Sequence, residues 1–157
     1  MTAIRSFDLA IDLAIQRRDA VVRKLVAVQH AHARAQVQLN QLTDYVAETD
    51  ARIVQSGHRT VSMEVLRHHY QFMGRLQDAI RLQTEAVQGA QSQVDTTRTE
   101  LAKAETAVMG LIKVRDARLA QIDKAQGRRE QAASDELATQ LHLRQAKTIS
   151  EGVQPWQ

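Results

Sequence analysis

The histidines are the side chains in this sequence of 157 residues best suited to hold a metal ion or relay a proton. His30 and His32 are two apart, and His68 and His69 are adjacent. Two helical ligands for one metal must sit a turn apart, at i and i+4, to point the same way. Neither pair does. The chain has no cysteine, which removes thiol chemistry and disulfides together. It has no Gly-rich phosphate loop, no nucleophile set beside a base, and no carboxylate pair marked out from the other surface charges. The basic residues Arg115, Arg118, Lys124, Arg128 and Arg129 are interleaved with Asp116, Asp123 and Glu130, as on a solvated helix face. A net charge of +3, with both signs dispersed, favours solubility and does not call for nucleic acid. The residues therefore describe a protein with no catalytic site, no cofactor and no metal. It is expected to work by contact.

The elements that would position such contacts are read from the apolar pattern. One line of residues seven apart runs Leu66, Met73, Ile80, Val87, Val94, Leu101, Val108, Arg115, Ile122, Arg129. A second, three residues on, runs His69, Leu76, Gln83, Ala90, Thr97, Ala104, Leu111, Arg118, Ala125. Upstream the same two lines recur as Ile4, Ile11, Arg18, Leu25, His32, Leu39, Val46, Ile53 and as Phe7, Ala14, Val21, Val28, Ala35, Leu42, Thr49. Spacings of 3 and 4 sustained over seven heptads make the seam of a coiled coil. The polar exceptions Arg18, His32 and Thr49 are candidates for fixing register. With aromatics at 3% and the single proline at Pro155, nothing argues for a thick core or interrupts the helices.

The repeat breaks once, between Gln55 and Ser62. Gly57 can end a helix in the left-handed conformation, and Thr60 or Ser62 can cap the next, with Glu64 in its first turn. A single short break predicts an all-α fold, an antiparallel two-helix coiled-coil hairpin in one domain over 1–157. Helix 1 is expected over about 4–56, the turn over about 57–61, helix 2 over about 62–147 and a frayed tail over 148–157. With the turn near residue 59, facing residues have numbers summing to about 118, which sets Ile4 opposite Val114. The second helix then overhangs by about thirty residues, or roughly 45 Å. A helix of that kind is marginal in water without a partner.

The same register exposes a side stripe. Gln38, Leu42, Tyr45 and Thr49 line one edge of the first helix, and Phe72, Leu76, Ala79 and Gln83 line the facing edge of the second. Leu42 falls opposite Leu76, Tyr45 opposite Phe72 and Gln38 opposite Ala79, with Tyr70 nearby. Aromatic residues beside a narrow seam have two uses: they mark a protein contact site, or they seal the seam.

The pattern Gln38, Leu42, Tyr45, then the break, then Gln71-Phe72 with Leu76, Ala79 and Ile80, resembles the flagellar export protein FliJ family. The length and the seam through Val94 and Leu101 agree with it, and the resemblance covers nearly the whole chain. Thr49 and Gln83 depart from it, standing where the family often has a tyrosine and a histidine. The resemblance implies a soluble stalk of the flagellar type III export apparatus, with no enzymatic activity. It implies insertion into the hexameric export ATPase, contact with the cytoplasmic domain of the export-gate protein FlhA, and binding of export chaperones. Gln38, Leu42, Tyr45, Phe72, Leu76 and Ala79 would form the gate-binding patch. The opening residues lack a signal peptide's apolar run and no stretch is long enough to span a membrane. The expected location is therefore cytoplasmic, and the resemblance implies a place peripheral to the inner membrane at the flagellar base. Competing expectations are the equivalent stalk of a virulence type III secretion system and a generic cytoplasmic coiled-coil adaptor.

Overall fold

The computed structural model describes residues 2–57 and 62–152, and they form two α-helices. Helix α1 spans Thr2–Ser56 and helix α2 spans Met63–Glu151. The two long helices pack against each other as an antiparallel hairpin, and the described residues contain no strand. The turn itself, expected at 57–61, lies outside the described residues except for Gly57. Gly57 ends α1 without entering the left-handed region: no described glycine has positive φ. Its N–H instead donates to the Val54 carbonyl at 3.3 Å, a tightened last turn. Ser62 caps α2, its Oγ accepting from the Val65 N–H at 3.3 Å.

Two compact units divide the chain. One is Asp12–Val108, in which the rest of α1 pairs with the first half of α2. Its buried residues are Met73, Val94, Thr97 and Val108, all on the predicted lines. Thr97 is fully buried, and its hydroxyl donates to the Gln93 carbonyl at 2.7 Å, so no polar atom is stranded in the seam. Tyr45 meets Phe72 near the break, and Lys24 meets Glu100 at 3.0 Å farther along. A sum of 118 would have set Lys24 opposite Val94. All four residues occupy the position one before the first seam line. Antiparallel helices connect such positions along two alternating diagonals a heptad apart, so one register serves both contacts. That register is displaced by about three residues, just under a turn, from the expected one.

The other unit is Met1–Ile11 with Met109–Gln157. Ala3 and Phe7 share a groove with Val114, Ala117, Arg118 and Gln121, so α1 reaches about a turn further along α2 than an Ile4–Val114 pairing would place it. Asp8 pairs with Arg115 at 3.4 Å. From Asp116 to Gly152 every residue is exposed. The part of α2 beyond Gln121 is about 45 Å of helix at 1.5 Å per residue. Side-chain bonds one turn apart brace it, such as Gln126 to Glu130 at 3.1 Å and Gln131 to Asp135 at 3.0 Å.

Seam and surface should respond oppositely to small residues. Val94→Ala opens the seam and should cost about 1–2 kcal/mol. Gly89, where an added Cβ meets nothing within 4 Å, should gain about 0.8–1 kcal/mol on substitution by Ala. Urea unfolding followed by circular dichroism reads both.

Candidate functional site

Four side chains build an edge on the paired helices of the Asp12–Val108 unit. Gln38 and Tyr45 project from α1, and Phe72 and Gln83 from α2. The rings of Tyr45 and Phe72 meet edge to face, with centroids 6.1 Å apart and planes at 83°. That geometry brings the positive rim of one ring to the negative face of the other. Tyr45 nevertheless remains 46% exposed and Phe72 40%. The rings bridge the helices and still present about half of each residue outward.

Beside the rings, Gln38, Gln41, Leu42, Tyr45 and Gln83 line a shallow open groove. The Gln83 amide nitrogen donates across the hairpin to the Ala35 carbonyl at 2.9 Å and to Gln38 Oε1 at 3.2 Å. Gln38 thus meets Gln83, where Ala79 was expected. Leu76 and Ala79 lie between Phe72 and Gln83 on α2, and Leu42, Leu76 and Ala79 are half-buried. Thr49 is half-buried, its hydroxyl donating to the Tyr45 carbonyl of its own helix at 2.8 Å. Tyr70 stands apart from the edge: two residues rotate a helix by about 200°, which turns it away from Phe72. Its ring lies 5.9 Å from that of His69, and the residue is 72% exposed. Gln41 belongs to the groove and was missed, although its place three after Gln38 and four before Tyr45 was a readable signal.

Arg18 and Thr49, two of the three polar seam residues expected to fix register, bond locally. Arg18 bonds its neighbour Asp19 at 2.9 Å, and Thr49 bonds its own helix, so neither reaches across. His69 lies 3.9 Å from Asp50. In the other unit Arg115 is bonded to Asp116 at 3.0 Å and to Asp8. These contacts, the hydrogen bond to Asp116 foremost, hold its guanidinium pKa above the usual value. Among the described residues no three potential metal ligands converge, and no helix is long and apolar enough to cross a membrane.

The protein-family model described as "Flagellar FliJ protein" matches residues 4–147. No curated protein and no solved structure matches the chain significantly.

The ring contact should be measurable as a coupling. In a double-mutant cycle of Tyr45→Ala and Phe72→Ala, the unfolding free energies should depart from additivity by about 0.5–1.5 kcal/mol.

Proposed function

The chain belongs to the flagellar FliJ protein family, and from that footing we propose that it is the stalk of the flagellar type III export apparatus, received by the hexameric export ATPase and contacting the cytoplasmic domain of the gate protein FlhA. The observation that carries this reading is the change along α2 at Asp116. Leu111, Ile112 and Arg115 are partly covered, whereas every residue from Asp116 onward is exposed, Leu119, Ile122, Leu137 and Leu141 among them. A helix with apolar residues and no covering partner lowers its free energy when a protein surface closes on it. The ATPase ring is the surface proposed.

The gate contact is assigned to the edge of Gln38, Leu42, Tyr45, Phe72, Leu76 and Ala79. Half-exposed aromatic rings held rigid by each other are suited to anchoring a protein interface, because little side-chain freedom remains to be lost on binding. Export chaperones are proposed as further partners, without an assigned site. The chain acts by contact and has no catalysis of its own in this scheme. Its place is cytoplasmic, peripheral to the inner membrane at the flagellar base. The match to the flagellar family favours this apparatus over a virulence secretion system.

Added to the cognate export ATPase, the chain should raise its hydrolysis rate and promote hexamers, and a generic adaptor would do neither. The ring should also protect the 116–151 segment from limited proteolysis; unchanged cleavage would count against insertion of that segment. Tyr45→Ala with Phe72→Ala should weaken binding to the gate's cytoplasmic domain by more than about tenfold and abolish swimming, while far-ultraviolet circular dichroism stays unchanged. Undiminished binding removes the edge from the interface.

A further inference from the structure

A seam repeating every seven residues does not by itself choose its register. Sliding α2 by one heptad returns most apolar residues to apolar neighbours, because Ile80, Val87, Val94 and Leu101 follow each other on one line, and only Gln83 and Thr97 interrupt Leu76, Ala90 and Ala104 on the other. The connection does not choose strongly either. A slide of seven moves the turn by only half a heptad along the chain, so a few residues leave one helix and join the other while the loop keeps its length. What discriminates must be a directional contact across the pair.

We propose that Gln83 is the residue that pins the register of the Asp12–Val108 unit and so positions Tyr45 against Phe72. It stands on the second seam line, half-buried, where its neighbours on that line are Leu76 and Ala90. Its amide nitrogen reaches across to two acceptors on α1, the main-chain carbonyl of Ala35 at 2.9 Å and Oε1 of Gln38 at 3.2 Å. Both partners are oxygens, so only the NH2 end can face them. Thr97, the fully buried polar seam residue, bonds its own helix and would carry that bond through any slide. Arg18 and Thr49 likewise bond within α1. Lys24 with Glu100 and His69 with Asp50 also meet across the pair, but the first is a solvated ion pair, weak and tolerant of geometry, and the second is a long 3.9 Å approach to an exposed carboxylate. In a register shifted by seven the main-chain carbonyl of Val28 or Leu42 would stand in for that of Ala35, but Gln38 would give way to Ala31 or Tyr45, and the bond to Oε1 would be lost inside a partly dry seam. A seven-residue slide also sets Ala79 where Phe72 stands, which dismantles the ring pair. Gln83 is accordingly a positioning residue. Its consequence for gate binding rests on the contact edge proposed above.

Spin labels test this directly, because the chain has no cysteine of its own. Labels at Ala27→Cys on α1 and Arg67→Cys on α2 are both on exposed positions, the first about three turns from Gln38 and the second on a face of its helix turned away from Phe72. Pulsed electron-spin distance measurements on the full chain should give one population. Gln83→Glu keeps the shape but cannot donate, and Gln83→Leu gives the seam another apolar residue. Each should add a second population displaced by about 10 Å, seven residues at 1.5 Å per residue. Gln83→Leu should do so without a lower melting temperature, which loss of a merely stabilising contact would not produce. A single, unshifted distance in both variants overturns the assignment. Binding of the purified gate cytoplasmic domain, measured on the same samples, should fall in proportion to the displaced population. A displaced population with unchanged binding supports the register pin and overturns the gate-binding reading of the edge.

Discussion

Two helices can bury only a line. Each side chain on the seam is covered by the opposite helix, and a residue one position to either side is covered on one flank and wet on the other. This constraint explains why Ile11, Met73, Val94, Thr97 and Val108 are buried while most of the seam is only half-buried. It also decides the character of the candidate site. Tyr45 and Phe72 lie one residue before the first seam line, so they can touch each other across the pair and cannot be enclosed by it. In a thicker fold the same rings would be core. Here geometry leaves them at the surface, where a partner can reach them.

A narrow seam also changes what a polar residue costs. Thr97 is fully buried, yet its hydroxyl returns to a carbonyl of its own helix one turn back and needs nothing from α1. Gln83 does the reverse: with a longer side chain and two donor hydrogens, it draws on acceptors of the other helix. The two residues are both polar interruptions of an apolar line, and only the second carries information about alignment. Arg115 is a third kind. It ends the covered part of its line, held by Asp116 and Asp8, and beyond the groove at Ala117, Arg118 and Gln121 the lines persist in sequence with every described residue exposed.

The sites expected from spacing alone fared according to how local their physics was. Tyr45 and Phe72 were placed opposite each other from arithmetic on the turn, and they do meet, because the diagonal that joins them falls within one residue of the expected pairing. Lys24 lies on the other diagonal, where the same arithmetic put it opposite Val94, six residues from its observed partner Glu100. Tyr70 was grouped with the rings by proximity in sequence, and helical rotation separates it from them. Arg18 and Thr49 were candidates for fixing register because they interrupt the lines. Their bonds turn out to be local, a preference of short or neighbour-paired side chains that the line pattern does not encode.

The heptads alone determined that the chain is helical, that it folds back once, that its second helix outruns the first, and which residues line the seam. They could do so because periodicity is a property of a single helix and is written in consecutive residues. Only the tertiary structure decided the register, the rotation of each flanking side chain, and which polar seam residues reach across. Those depend on the relative position of two helices, to which a seven-residue repeat is nearly indifferent. The indifference is broken by a few directional contacts, the Gln83 amide and the edge-to-face rings, whose partners lie tens of residues away in the chain.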